Sequence, residues 1–182
     1  MRIASLNLLS PDKETTTMAS AVSARLIHYR SQNLNACLSD FQGVEHKLEF
    51  VKTIEGVDFI NDSKSSNLNA CWFALESMTK PVIWIAAATD DPKDYSGLHA
   101  LVRDKVKAII ALGFHKAQLE QYFGDSGQEI LLATDMNEAV MSAFYSAQNG
   151  DAILFSPAAN SFEMYHDYQE RGEAFKHAVS QL

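Results

Sequence analysis

The feature that most constrains the fold of this chain is a series of short, unbroken apolar runs, each followed by a segment with helical periodicity. The clearest runs are 81–86, 108–112 and 152–155. Continuous apolar runs of this length are typical of parallel strands that are buried on both faces. Strands that alternate with helices in this way predict an α/β fold with a mostly parallel sheet flanked by helices.

Two other patterns lie closer to the N-terminus. Residues 47–52 alternate in polarity and are separated from 57–60 by a turn containing Gly56, which predicts a β-hairpin. Residues 15–41 carry apolar side chains at helical spacing after a threonine-rich start, which predicts an N-terminal helical segment. The remaining predicted elements are a strand at 129–132 and helices at 67–78, 98–106, 115–123, 136–148, stopped by Asn149-Gly150, and 161–182.

Composition narrows the class of protein. The chain has 182 residues, a formal net charge of −8 and 47% hydrophobic residues, which indicates a folded protein rather than a disordered one. No apolar run approaches the ~20 residues of a membrane span. The acidic balance argues against a binder of nucleic acid backbones. The two cysteines, Cys37 and Cys71, form no Cys-x-x-Cys motif, which excludes a disulfide framework and a cysteine-based zinc site and favours a reducing cytoplasm.

Three segments that each join a strand to a helix are candidate ligand sites, because ligands of open α/β sheets bind at the carboxyl ends of strands. Residues 61–67 offer a carboxylate, an ammonium, hydroxyls and amides at a helix start, which suits an anion. The alternative is a capped helix start with a solvated Asp–Lys pair. Residues 156–162 are mostly small, which lets a ligand approach the backbone. The alternative is helix capping by Asn160 with Glu163. Residues 87–95 are acidic with one lysine, and their alternative is a surface turn.

Several common catalytic motifs are absent from the sequence. It contains no Gly-x-Ser-x-Gly, His-Glu-x-x-His or Gly-x-Gly-x-x-Gly motif. None of the eight glycines is followed by lysine, so the chain has no Walker A loop for the phosphates of ATP. We therefore expect no metal site and no catalytic residue acting in this chain alone.

A set of motifs in a fixed order resembles the C-terminal domain of the Mur ligases, and specifically the branch that adds D-glutamate. The matching segments are Phe41-Gln42-Gly43-Val44-Glu45-His46-Lys47-Leu48-Glu49, Ile60-Asn61-Asp62-Ser63-Lys64-Ser65-Ser66-Asn67, Asp94-Tyr95, Ser156-Pro157-Ala158, Ser161-Phe162 and Tyr168-Gln169-Glu170-Arg171-Gly172. The resemblance covers about 41–182. Residues 1–40 resemble the end of the family's central domain.

The resemblance implies a Rossmann-like domain of an ATP-dependent ligase that adds D-glutamate to UDP-MurNAc-L-alanine in peptidoglycan synthesis. In that family ATP phosphorylates the substrate carboxylate, and the amine of D-glutamate attacks the acyl phosphate. The implied partners are an N-terminal domain that binds the UDP-sugar and a central domain with the P-loop, magnesium and the ATP phosphates. This chain would bind D-glutamate and part of ATP, and would be inactive alone because it lacks the P-loop.

The resemblance also assigns site residues. It implies that Lys47, in place of a family arginine, Asp62, as an acceptor for the ribose, and Asn67 bind the nucleotide. The residues implied to bind D-glutamate are Lys64, Ser66, Ser161, Phe162, Tyr168 and Lys93. Lys93 enters this set as a substitute, because Asp91 stands where the family has a lysine for the side-chain carboxylate of D-glutamate.

Departures from the family pattern support a second hypothesis. Ala87 and Ala88 replace a Gly-Gly pair, Asp91 replaces the lysine, and 12–16 differ from the family's central domain. A like charge facing a ligand carboxylate repels it. The alternative is therefore a diverged, stand-alone binding or regulatory protein without catalysis, on the same fold.

Overall fold

A six-stranded sheet organises the residues that the computed structural model describes, which are 44–89, 93–113, 116–160 and 164–182. The strands lie in the order β1-β2-β6-β3-β4-β5, and all neighbours are parallel except β1 and β2. Their bounds are β1 (Glu49–Ile54), β2 (Val57–Asn61), β3 (Val82–Ala88), β4 (Val106–Gly113), β5 (Glu129–Ala133) and β6 (Ala152–Phe155). The predicted fold class is confirmed. The predicted helical segment at 15–41 and the predicted domain remnant at 1–40 lie outside the described residues.

The predicted hairpin is present as β1 and β2. Its two-residue loop, Glu55-Gly56, has both φ angles in the left-handed region, at 50° and 81°. Such a turn matches the right-handed twist of the two strands. A side chain at Gly56 would overlap the amide of Asn149, so the close approach of that loop also requires glycine.

Five α-helices in the described ranges cover the two faces of the sheet: α1 (Leu68–Ser77), α2 (His99–Lys105), α3 (Ala117–Phe123), α4 (Met136–Ser146) and α5 (Tyr168–Ser180). Helices α1, α2 and α3 pack on one face around Trp84 and Phe123. Helices α4 and α5 pack on the other face around Phe155 and Phe175, whose rings stack at 5.1 Å. Within the described ranges, no helix combines the length and the apolar character needed to cross a membrane.

The last helix begins later than predicted. Helix α5 starts at Tyr168 rather than at 161, because Asp167 caps it by accepting a hydrogen bond from the Glu170 amide at 2.8 Å. The Glu170 carboxylate in turn accepts from the His166 amide at 2.7 Å. Asn160 therefore does not cap α5, and Glu163, its partner in the predicted capping arrangement, lies outside the described residues.

Helix α4 ends earlier than predicted. Its C-cap is Ala147, which is extended, so Asn149-Gly150 does not stop the helix directly. Gly150 has φ 96° in the following loop, and its amide donates to the Gly56 carbonyl at 3.0 Å. Asn149-Gly150 therefore contacts the β1–β2 hairpin and does not cap α4.

The connections change sides around β6. This strand leads to α5 on one face, whereas its neighbours β2 and β3 lead to α1 and α2 on the other. Adjacent strands therefore send their connections to opposite faces of the sheet, which makes the carboxyl end of β6 a topological switch point. Such a switch point is where open α/β sheets bind ligands.

Candidate functional site

Two of the three predicted ligand segments meet at this switch point. The Asp62 amide donates to the Phe155 carbonyl at 2.8 Å, and the Ala158 amide donates to the Ser65 carbonyl at 3.1 Å. Backbone hydrogen bonds thus join the loop after β2 to the loop after β6. These two loops, which are far apart in sequence, form the base of the candidate site. We call this base the floor.

Asp62 is the centre of the floor. One carboxylate oxygen lies 3.1 Å from Lys47 Nζ and accepts from the Leu48 amide at 3.2 Å. The other accepts from Ser156 Oγ at 2.8 Å. The Asp62 side chain is 0% exposed and that of Lys47 is 20% exposed. The sequence alternative of a solvated Asp–Lys pair is wrong for Asp62, which is buried against Lys47.

Burial governs the electrostatics of this floor. Loss of hydration raises the pKa of Asp62 above its ordinary value, although Lys47 and the hydroxyls of Ser65 and Ser156 act in the opposite direction. Burial also raises the pKa of the nearby Cys71 thiol to about 12. Cys71 is therefore a neutral thiol that packs under the loop, not a nucleophile.

Exposed polar groups stand above this floor. Lys64, Ser66 and Asn67 are all exposed. The Lys64 ammonium lies 5.6 Å from the centre of the Tyr168 ring. Asn67 caps α1 by accepting a hydrogen bond from the Ala70 amide at 3.0 Å. The capped helix start, which the sequence offered as part of the alternative to an anion site, is therefore correct. The N-terminus of α1 and Lys64 together present positive charge to solvent.

Arg171 is a member of the site region that the sequence reasoning did not single out. It is buried, and it donates to the Ser63 carbonyl at 2.7 Å, Ser63 Oγ at 3.1 Å and the Ala159 carbonyl at 2.9 Å. Burial lowers the pKa of Arg171 to about 10. It thus ties both loops to α5. Arg171 lies four residues before the apolar Phe175, and therefore on the same face of the helix. This spacing was the sequence signal that Arg171 is buried.

His46 is a second residue that the sequence reasoning did not assign. Its buried ring lies 3.0 Å, Nδ1 to Nδ2, from Asn61 at the end of β2. It also packs directly against Gly172 of α5, where an added Cβ would lie 2.8 Å from His46 Cγ and closer still to Nδ1. His46 and Leu48 both have positive φ, at 63° and 47°. This strained segment aims Lys47 at Asp62.

The third predicted segment is described only in part. Lys93 Nζ lies 3.0 Å from Thr89 Oγ1, and the Lys93 amide donates to Gln118. Asp94 caps the 3₁₀ turn Tyr95–Leu98. Asp91, Ser161 and Phe162 lie outside the described residues. The structure therefore brings Lys47, Asp62, Lys64, Ser66, Asn67 and Tyr168 to one region, and places Lys93 beyond the end of β3.

One cluster has donor atoms of the kind that bind metal ions. Atoms of Glu45, His46 and Glu173 lie within 4.8 Å of one another. However, Lys176 Nζ lies 2.7 Å from Glu45 and 2.6 Å from Glu173. The Lys176 ammonium already lies between these two carboxylates and would repel a second cation, so the cluster does not fit a divalent metal ion.

The fold and the site define an α/β domain that holds a polar site at the switch point beside β6. A family model described as Mur ligase, glutamate ligase domain matches residues 46–159, and the chain belongs to this family. The predicted resemblance is confirmed.

Curated relatives agree with this family. The chain is 41% identical over 167 residues to UDP-N-acetylmuramoylalanine–D-glutamate ligase of Bacteroides fragilis. This match covers 91% of this chain and 38% of that protein. It is 42% identical over 166 residues to the ligase of the same name from Salinibacter ruber, covering 91% of this chain and 36% of that protein. It is 39% identical over 182 residues to the ligase of the same name from Christiangramia forsetii, and the match covers 100% of this chain and 41% of that protein. The chain thus spans roughly two fifths of the length of these relatives.

Solved structures support the fold. A murein peptide ligase from Psychrobacter arcticus matches with a TM-score of 0.55 at 13% identity, over 81% of this chain and 32% of that chain. A bifunctional folylpolyglutamate synthase/dihydrofolate synthase from Yersinia pestis, solved with AMPPNP and a manganese ion, matches with a TM-score of 0.51 at 14% identity, over 76% and 31%.

Proposed function

We propose that this chain supplies the amino-acid-binding domain of an ATP-dependent ligase that adds D-glutamate to UDP-MurNAc-L-alanine. The observation that carries the proposal is the junction of the loops after β2 and β6, which holds the exposed Lys64 and Ser66 over a buried polar floor. About 40% identity to curated ligases named for D-glutamate supports this substrate. The same identity favours a ligase domain over the alternative of a non-catalytic protein.

D-glutamate is a dianion with a single ammonium, and the site matches its carboxylates. Lys64 provides an ammonium that forms no ion pair with a carboxylate within the described ranges, and Ser66, exposed two residues later in the same loop, provides a hydroxyl. We propose that both bind carboxylate oxygens, together with Ser161, Phe162 and Lys93, and that the ring of Tyr168 completes the pocket beside Lys64. Their role is to hold the amine of the amino acid in one orientation for attack, which converts an encounter in solution into a positioned reaction.

The nucleotide side of the proposal rests on Lys47 and Asn67. Lys47 is partly exposed and can place positive charge near a phosphate or ribose, while Asn67 stands at the start of α1. Asp62 fits a direct ribose contact poorly, because its carboxylate is fully buried and accepts hydrogen bonds from Leu48 and Ser156. We therefore propose that Asp62 acts on the nucleotide by orienting Lys47.

ATP and magnesium complete the proposed activity. When bound, ATP would supply the phosphoryl group that activates the substrate carboxylate. The sequence has no Walker A loop, and the Lys176 ammonium already occupies the acidic cluster of Glu45 and Glu173. We propose that an N-terminal and a central ligase domain provide the UDP-sugar site, the P-loop and the magnesium ligands. A reducing, cytoplasmic location is consistent with the free thiol of Cys71.

Isothermal titration calorimetry tests the amino-acid site. We expect D-glutamate to bind measurably and L-glutamate to bind much more weakly. Lys64→Ala should weaken D-glutamate binding about tenfold or more, which is the loss of a charge-assisted hydrogen bond of roughly 1.5–3 kcal/mol. Lys52→Ala, which removes an exposed lysine of β1, is the matched control and should have no effect. Equal losses in both variants would refute the proposed site.

Reconstitution tests the ligase assignment. The chain is mixed with the N-terminal and central domains of a curated relative, and ADP release is measured with UDP-MurNAc-L-alanine and D-glutamate. We expect ADP release that requires this chain. If the chain binds D-glutamate but never supports ADP release, the non-catalytic alternative is favoured instead.

A further inference from the structure

The contact between Lys64 and Tyr168 has a specific geometry. The Lys64 ammonium lies over the face of the ring at 5.6 Å from its centre, which is within the range of a cation–π interaction. Lys64 is exposed and Tyr168 is half-buried. Among the described residues, this ring is the group that the charged end of Lys64 contacts.

The backbone that carries Lys64 is fixed on both sides. Its own amide donates to the His46 carbonyl at 3.0 Å. The preceding Ser63 donates its hydroxyl to the Tyr168 carbonyl at 2.8 Å and receives Arg171 on its own carbonyl at 2.7 Å. The start of the Lys64 side chain is therefore held against α5, and only the flexible stem remains free to rotate.

The Tyr168 ring is itself held in place. The ring of His46 meets it edge-on, with centroids 6.1 Å apart and planes at 78°. His46 is buried between Asn61 and Gly172. The Tyr168 ring is therefore held by packing against the buried His46 ring.

We propose that Tyr168 is a positioning residue that acts through Lys64, by restricting its stem so that the ammonium faces one carboxylate of the amino-acid substrate. This inference rests on the proposed function. A lysine that is ordered before binding loses less rotamer entropy when a carboxylate arrives. A ring partner also leaves the charge of Lys64 and its N–H donors available, which a carboxylate partner would not.

The first test needs no ligand. In NMR spectra of the full chain, ring current should shift the Lys64 Cε–Hε resonance upfield, and Lys64→Met identifies that resonance by removing it. Tyr168→Leu should abolish the shift, whereas Tyr168→Phe should retain it. Tyr145→Leu, at a tyrosine of α4 that is 78% exposed, is the matched control and should leave the shift unchanged. An unshifted resonance in the natural chain would overturn the proposal.

The second test is a double-mutant cycle on D-glutamate affinity. Tyr168→Leu should weaken binding about two- to fivefold, the size expected from an exposed cation–π pair, and Tyr168→Phe should restore most of it. In the Lys64→Met background the same change should have no further effect. Tyr168→Met is a second variant with an unbranched side chain, used if the leucine variant does not fold.

The outcomes separate the two claims. If D-glutamate binds, but Tyr168→Leu weakens binding equally with and without Lys64, Tyr168 does not act through Lys64 and the inference is wrong. If the ring-current shift is present but the natural chain does not bind D-glutamate, the proposed function fails, and the positioning role for that substrate fails with it.

Discussion

The carboxyl and amino edges of the sheet use polar residues in opposite ways. In the part of the chain that the structure describes, eight polar or charged residues are buried, and Asp151 alone lies at the amino edge. The other seven surround the junction of β2, β6 and α5: His46, Asn61, Asp62, Ser63, Ser65, Ser156 and Arg171. The carboxyl edge therefore concentrates the buried polarity of the domain.

The amino edge instead carries separate, partly exposed ion pairs. Lys80 pairs with Asp58, and Lys107 Nζ lies 2.6 Å from Asp151. A pair as exposed as Lys80 and Asp58 contributes little to stability, whereas removing one member of a buried network leaves its partners unsatisfied. The buried polar network of the carboxyl edge therefore holds two loops in one geometry, as a binding site requires, whereas the separate ion pairs of the amino edge do not.

The largest expected effect is the loss of the buried carboxylate. Asp62→Ala leaves the Leu48 amide and Ser156 Oγ without their acceptor, and it removes the partner of Lys47. We expect the free energy of unfolding in urea to fall by about 3 kcal/mol. Asp58→Ala at the amino edge is the matched control, with an expected loss of less than about 1 kcal/mol. Equal losses would remove the contrast between the two edges.

The next effect concerns the contact between α5 and His46. Gly172→Ala improves helix propensity, but its new Cβ overlaps the His46 ring. We expect a net destabilisation of about 2 kcal/mol, because overpacking outweighs the propensity gain. Gly97→Ala has open space around the added carbon, so it should be neutral. If Gly172→Ala were as stable as the natural chain in thermal unfolding, the packing of His46 against α5 would be refuted.

A smaller effect is expected from Lys105, near the amino end of β4. Its ammonium donates to the carbonyls of Leu75 at 3.2 Å and Met78 at 3.1 Å, and also to that of Glu76, so it caps the end of α1. Lys105→Ala should cost about 1 kcal/mol in urea unfolding. Lys116→Ala, in an exposed pair with Glu120, is the comparison and should cost a few tenths, roughly 0.3 kcal/mol. A cost no greater than that of Lys116→Ala would show that capping at the amino edge is dispensable.

The smallest effect is a pH dependence of opposite sign at the two edges. Burial raises the pKa of Asp62 above 3.8, so the stability linked to it is present at low pH and is lost as pH rises through the folded-state pKa. The Lys80 ammonium lowers the pKa of Asp58 below 3.8, so its contribution is present above that pH and is lost as pH falls through the folded-state pKa.

Unfolding at a series of pH values checks these signs. The stability of the natural chain relative to Asp62→Asn should decrease as pH rises, and its stability relative to Asp58→Asn should increase. Slopes of the same sign for the two variants would contradict the electrostatic difference between the edges.

The sequence allowed the strands, the hairpin and the polar loops after β2 and β6 to be predicted, because each depends on a local pattern. It did not reveal the contacts between them. Asp62 is 15 residues from Lys47, and the hydrogen bonds of Ser63 to Arg171 span 108 residues. Local periodicity carries no information about such pairs. The same limitation misplaced the start of α5, where Asp167 competed as a cap with Asn160.

The most direct test of the central claim is an amide NMR titration of the isotope-labelled chain with D-glutamate and L-glutamate. We predict that D-glutamate shifts the amides of Lys64 and Ser66 at the carboxyl edge, leaves Asp58 and Lys107 at the amino edge unchanged, and acts far more strongly than L-glutamate. The absence of shifts at Lys64 and Ser66, or equal shifts with both enantiomers, would contradict the assignment of this edge as the D-glutamate site.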